Sequence, residues 1–266
     1  MMRAPYRPRH TYSCLHACLF ISLLSLLQGC SVLRARPADN AGFLPKPELV
    51  KEQRDRAPFN GYWVFNPVEY EVLRKEYGKA YIAPIDIEVV RKSYLHSGGS
   101  EERKLQRIEE AEELAKYWRE SIILMLQEKS GDTHSFSPLK VVNEPGPGIL
   151  TLRLALIEVT PTNPGVNIIG TAAGFLLPGA GFLKIAGEGS VAMEGFVHEV
   201  DPEVDTFEEY KDREGQKASF FSLKDYQQYA HIRSVIDDWS QQIVELLTTQ
   251  HSVKVDDSNS VSLNPL

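Results

Sequence analysis

Apolar residues in this chain fall into a few stretches of distinct period, separated by turn residues, and those stretches predict its elements. Residues 101–129 carry the clearest helical pattern. Leu105, Ile108, Leu114, Ala115, Trp118, Ile122 and Met125 recur at spacings of three and four and make one stripe. Ser100 stands where an N-cap is needed, Glu101 and Glu102 fall where the helix dipole favours acid, and Gly131 follows as a stop. Period-two patterns mark strands. Leu150, Leu152, Leu154 and Leu156 oppose Thr151 and Arg153 within residues 149–160, and Val191, Met193 and Val197 share a face within 188–200. Shorter strands are predicted at 139–143, at 205–214 ending at Gly215, and at 81–85, where Pro84 marks a sheet edge or a strand end. A second helix is predicted over 224–247 from Tyr226, Tyr229, Ile232, Ile236, Trp239, Ile243 and Leu246, with Ser222 as its cap. This order predicts an α+β fold: a mainly antiparallel sheet with two amphipathic helices packed on one face.

The front of the chain follows a different logic. Arg3, Arg7 and Arg9 form a positive region without acid, and an apolar run from Cys14 to Leu27 follows, ending in Leu27-Gln28-Gly29-Cys30. That ending resembles the lipobox of bacterial lipoproteins. The resemblance implies cleavage between Gly29 and Cys30, a diacylglycerol on the Cys30 sulfur and acylation of the new amine. Thiol nucleophilicity is the chemical reason for a cysteine there. One acyl chain binds a bilayer reversibly, whereas two or more anchor stably. A membrane-spanning anchor is the poorer reading, because the run is shorter than the roughly 20 residues a spanning helix needs. Ser31 follows the cysteine where an aspartate would resemble an inner-membrane retention signal, so the expected location is the periplasmic face of the outer membrane.

These patterns divide the chain into a signal peptide (1–29), a lipidated tether (30–58), a single α+β domain (59–249) and a disordered tail (250–266). The tether reading rests on Pro37, Pro45, Pro47 and Pro58 and on a charged run at residues 51–56. Removing the signal takes the formal charge from −7 to −10, a balance that disfavours nucleic acid and anionic headgroups as partners. Of the three cysteines, Cys14 and Cys18 leave with the signal and Cys30 is lipidated, so no thiol remains for a disulfide, a metal or catalysis.

The sequence offers no recognisable catalytic constellation, no cofactor motif and no metal motif. It contains no G-x-S-x-G, and His96, His134, His198, His231 and His251 are scattered without an H-E-x-x-H pair. Glu199, Asp201, Glu203 and Asp205 alternate along one segment, which reads as a solvated acidic turn ahead of a calcium site, since no D-x-D-x-D-G pattern accompanies it. The Gly-rich residues 168–187 lack a Gly-Lys-Ser/Thr and so do not read as a phosphate cradle. Their low polarity in a long connection leaves several roles open: a flap on the domain's own core, a contact surface for a partner, a second copy or lipid, or a membrane-inserted hairpin.

Gly42-Phe43-Leu44-Pro45, the Tyr81-to-Ile87 strand, Pro145-Gly146-Pro147-Gly148-Ile149 leading into Leu152-Arg153, and Asp212-Arg213-Glu214-Gly215 followed by the Trp239 helix form a further pattern. In these residues the chain resembles the bacterial lipoprotein family called domain of unknown function 3313, over residues 42–247. The resemblance implies a fold and no assigned activity. The expectation is therefore a membrane-held, non-catalytic binding or scaffold module with an envelope protein partner or self-association. The alternatives are a subunit of an oligomeric export or channel assembly that uses 168–187, and, last, an envelope hydrolase.

Overall fold

The computed structural model of the chain describes residues 38–130, 136, 138–161, 189–199, 206–215, 218–219, 229–257 and 261–262. The signal segment with Cys30, His134, Asp201, Glu203, Asp205, Ser222 and the Gly-rich residues 168–187 lie outside the described residues.

Four described helices and a six-stranded sheet make an α+β domain. In chain order the elements are β1 (Gly61–Val64), α1 (Pro67–Glu76), β2 (Lys79–Ile82), α2 (Glu88–His96), α3 (Glu101–Ser130), β3 (Lys140–Val142), β4 (Leu150–Thr160), β5 (Ser190–His198), β6 (Glu208–Gly215), β7 (Ala218–Ser219), α4 (Ala230–Thr248) and β8 (Val261–Ser262). The strand order is β1-β6-β5-β4-β2-β3. Half of this sheet, β1-β6-β5-β4, is antiparallel, as the long alternating strands suggested. The other half is not: β2 runs parallel to both β3 and β4. The sheet is mixed, which corrects the expectation of a mainly antiparallel one. The cause is the pair of helices between β2 and β3, since a parallel neighbour requires a crossover and α2 and α3 supply it.

Two helices were not foreseen. Helix α1 begins with Asn66, whose side-chain oxygen accepts from the Val68 and Glu69 amides at 3.2 and 3.3 Å, with Pro67 in the first turn. It shows no apolar stripe because Tyr70 and Arg74 are its buried residues, while Val68 and Val72 face solvent. Helix α2 is opened by Asp86, which accepts from the Glu88 amide at 2.7 Å.

The stripes on α3 and α4 meet over one face of the sheet. Ile108, Leu114, Trp118 and Ile122 of α3, Ile232, Ile236, Trp239 and Ile243 of α4, and Leu152, Leu154, Leu156, Val191, Met193 and Val197 of the sheet form one buried cluster. Trp118 and Trp239 pack with ring centroids 5.5 Å apart. Leu105 departs from the predicted stripe and is 61% exposed; the buried positions of α3 begin at Ile108. Gly195 sits mid-strand where a side chain would run into Leu154 and approach Tyr210 at 3.1 Å, so β5 stays bare there to let its neighbours close over it.

Both ends of the domain differ from the expected tether and tail. Residues 38–58, read from sequence as extended chain, are packed: Leu44, Val50, Arg56 and Ala57 are buried. Residues 38–50 form a strap across the face of the sheet opposite α3 and α4. At the other end, Val255 is buried and its amide donates to the Arg56 carbonyl at 2.9 Å, and β8 pairs in parallel with β7. Local composition gives no hint of either, because the partners lie at the far end of the chain.

Candidate functional site

Chemistry-bearing side chains gather on β6, whose residues alternate between the two faces. Toward the helices point Glu208, Tyr210 and Asp212; toward the strap point Glu209, Lys211 and Arg213.

On the helix side, Glu208 is fully buried and accepts from the Tyr62 hydroxyl at 2.6 Å, Tyr70 at 3.3 Å and Tyr210 at 3.5 Å. Burial pushes its pKa up, opposed by the nearby Arg74 and Arg56 guanidiniums and by the tyrosine hydroxyls. Burial raises all three tyrosines well above their ordinary value, with the Glu208 charge adding to it, so they stay protonated donors. The two arginines do a second job. Arg56 Nη2 and Arg74 Nη1 donate to the Leu246 carbonyl at 2.9 and 2.6 Å, and Arg56 Nη1 donates to Gln250 O at 3.1 Å and to Val253 O. Positive charge at a helix C-terminus satisfies orphan carbonyls and complements the dipole. Asp212 accepts from Trp239 Nε1 at 2.9 Å and from the Asn60 amide at 2.9 Å, and burial raises its pKa to about 6. Every group in this centre is tied to another, and its chemistry is to join β1, α1, β6 and the end of α4.

On the opposite face, two carboxylates hold the strap by its main chain. Glu194 of β5 accepts from the Ala41 amide at 2.8 Å through one oxygen and from the Phe43 amide at 3.1 Å through the other. Glu209 accepts from the Lys46 amide at 2.9 and 3.2 Å. Gly42, at φ +82°, makes the bend between the two clasped amides, and the Asn40 side chain accepts its N–H at 2.9 Å. Apolar contacts complete the seat. Leu44 and Val50 bury against Phe196 and Trp63, Phe43 lies 5.4 Å from the Phe196 ring, and the Arg153 guanidinium sits 5.7 and 5.5 Å from those two rings. The Lys46 ammonium lies 5.4 Å over Trp63. Burial raises the Glu209 pKa to about 7. The Lys46 amide and ammonium oppose that, and the Glu48 and Glu194 charges add to it.

Residues singled out in the sequence are dispersed through this frame. Glu199 accepts from the Tyr77 hydroxyl and from the Gly148 amide at 2.6 Å, so it secures the Gly146–Gly148 turn. Gly148 needs its glycine, at φ +69°. His198 Nδ1 lies 2.9 Å from the Glu199 carbonyl, and burial lowers its pKa. His96 is exposed near the Lys92 carbonyl, His231 is buried in α4, and His251 stacks on Tyr62 at 6.3 Å. Among the described residues, no group of three or more His, Cys, Asp or Glu side chains is arranged to hold a metal, and no helix is long and apolar enough to cross a membrane. Sequence reading passed over Glu194, Glu208 and Glu209. For Glu194 the signal was a carboxylate inside an apolar strand, Met193-Glu194-Gly195-Phe196, where a charge must have a partner to be buried; Glu208 and Glu209 stand in a charged strand that hides them.

No family model, no curated protein and no solved structure matches this chain in comparison searches. The fold and the site therefore stand on their own geometry: a mixed-sheet α+β domain whose second face is closed by its own N-terminal strap.

Proposed function

We propose that the chain is a lipid-anchored envelope lipoprotein on the periplasmic face of the outer membrane, attached through Cys30, and that its domain serves as a non-catalytic binding or scaffold module. The observation that carries this reading is the Leu27-Gln28-Gly29-Cys30 sequence, placed only eleven residues ahead of Ala41, the first amide clasped by the sheet. An anchor at Cys30 would thus be joined to a folded body by a short connection. A second support is the use made of the buried carboxylates. Glu194, Glu208, Glu209 and Asp212 are each occupied by amides, tyrosines or an indole of the domain itself. The likeness to the lipoprotein family of domain of unknown function 3313 belongs to the same proposal. The residues that carry it, Gly42 to Leu44, Gly148 and Asp212, serve the strap, a turn and the helix tie.

Mass measurement of the mature N-terminus tests the anchor. Acylated Cys30 is expected in the wild-type chain, with unprocessed precursor in Cys30→Ala; an unmodified Cys30 or normal membrane attachment of the variant defeats it. Affinity capture of the acylated chain from its native envelope tests the module role, expecting a stoichiometric envelope partner. Robust turnover of an envelope substrate by the purified chain overturns it.

A further inference from the structure

The strap is fastened to the sheet by side chains. Its Ala41, Phe43 and Lys46 amides donate to sheet carboxylates, and ladder pairing begins only at Lys51, which exchanges both main-chain bonds with Tyr62 at 3.3 and 2.8 Å. Its apolar residues belong to two small clusters. One is Leu44, Val50 and Phe196; the other is Ala155, Ile157 and Ala192, with Ala38, Ala41 and Phe43 against it. Neither includes a residue of the main core. The strap also closes over two carboxylates of the same sign, Glu194 and Glu209, with Glu48 beside them; Lys46 of the strap and Lys211 and Arg153 of the sheet are the cations on this face. Lifting it would return those charges to water, which offsets part of what its apolar contacts contribute. A segment with few apolar contacts and a desolvation cost opens at lower free energy than the core.

We propose that residues 38–50 are a releasable latch that sets how far the domain can stand from its membrane anchor. The leash part of this proposal rests on the lipid-anchor reading; the latch part does not. With Ala41 clasped, the chain from Cys30 spans at most about 40 Å. With the strap released back to the Lys51–Tyr62 pair, the free chain has 21 steps from Cys30 and spans at most about 75 Å. The closed state holds the domain near the bilayer, and the open state lets it reach a partner further away. It also uncovers Phe196, Trp63 and the two carboxylates.

The test uses the full chain, acylated, in vesicles of phosphatidylethanolamine and phosphatidylglycerol. A single thiol is placed at Leu44→Cys in the strap or at Met193→Cys in the core, and its labelling is followed against urea. The expected result is that Leu44→Cys labels at least tenfold faster than Met193→Cys, at a rate insensitive to low urea. Labelling of both thiols only through global unfolding overturns the latch. Adding Glu194→Gln removes one of the two acceptors that clasp Ala41 and Phe43. That variant is expected to speed Leu44→Cys labelling a further tenfold with the Met193→Cys rate unchanged. The single-thiol comparison decides the latch even where this variant fails to fold. Energy transfer from a dye at Leu124→Cys to a bilayer acceptor then reads the leash: transfer falls on release, and unchanged transfer with a released strap overturns the reach. Repeating the labelling in Cys30→Ala, with Cys14→Ser and Cys18→Ser added because the unprocessed precursor keeps both thiols, separates the failures, since a latch without a lipid anchor still labels in the same way.

Discussion

The two faces of one sheet are closed by opposite means. On the helix face, apolar stripes from α3 and α4 pack with residues of five strands, and Glu208 and Asp212 are bonded inside that continuous core. On the strap face, residues 38–50, a segment of bends and one turn, lie across the strands and are gripped at three amides by two carboxylates. The first arrangement is cooperative, because removing any part exposes the rest. The second is modular, because its contacts form small clusters apart from that core. The same fold therefore contains one face that can open only by unfolding and one that can open alone.

The largest expected effect lies on the helix face. Trp239→Ala removes a buried indole that packs on Trp118 and donates to Asp212, and a loss of about 3–5 kcal/mol is expected in urea unfolding. A loss below 1 kcal/mol would mean that the two helices are not seated on the sheet as described. Next is Arg74→Met, which takes one donor from each of two carbonyls at the end of α4, leaving Leu246 O to Arg56, and leaves Glu208 with one guanidinium fewer. About 3 kcal/mol of destabilisation is expected, as for other breaks of one member of a buried charge cluster. Gly195→Ala forces a methyl against Leu154 and Tyr210, with an expected cost of about 1–3 kcal/mol by the same assay.

Effects on the strap face should be smaller and local. Gly61→Ala would place a methyl 2.6 Å from Val50 Cγ1, so Val50 must move. Hydrogen exchange at Ala41, Phe43 and Lys46 should accelerate while the Val191 and Val197 amides keep their protection. Equal acceleration everywhere would erase the distinction between the faces. The smallest effect is a pH slope. Glu209 and Asp212 have folded-state pKa values of about 7 and about 6, above their ordinary 4.5 and 3.8. In that window each of these carboxyls binds more proton in the folded chain than in the unfolded one, so its contribution to stability is full at the acidic side and falls as pH rises through 6 to 7, while His198 and His251, with lowered pKa values, act in the opposite sense. The variant isolates one share: the melting temperature of Glu209→Gln, relative to the wild-type chain, should rise from pH 5 to pH 8. A difference that stays constant with pH contradicts burial of this carboxyl.

How legible each face was follows from the distance over which its cause acts. Helices α3 and α4 and strands β4 and β5 write their partners into a local period, so Trp118, Ile236, Leu152 and Val191 fell where the pattern put them. Helix α1 does not, because an arginine and a tyrosine are what it buries. The parallel pairing of β2 was hidden because its strands are three and four residues long, too short to display a period. The strap was hidden for the opposite reason. Its prolines and charges describe a chain that cannot fold by itself, and that is true until Glu194 and Glu209 are supplied from more than 150 residues away. Leu105 and the tail show the same limit, since exposure at one and burial at the other depend on where a neighbouring element stops.

The clasp of Arg56 on Leu246, Gln250 and Val253 carries a consequence in time as well as in space. A chain made from its N-terminus finishes Arg56 some 190 residues before the carbonyls it caps, and the strap waits almost as long for Glu194 and Glu209. Contacts so distant in sequence slow folding, because loop closure must come before they reward it. A nascent chain that ends short of residue 246 has no cap for either guanidinium and no end for α4, so the domain can close only once its last helix has emerged.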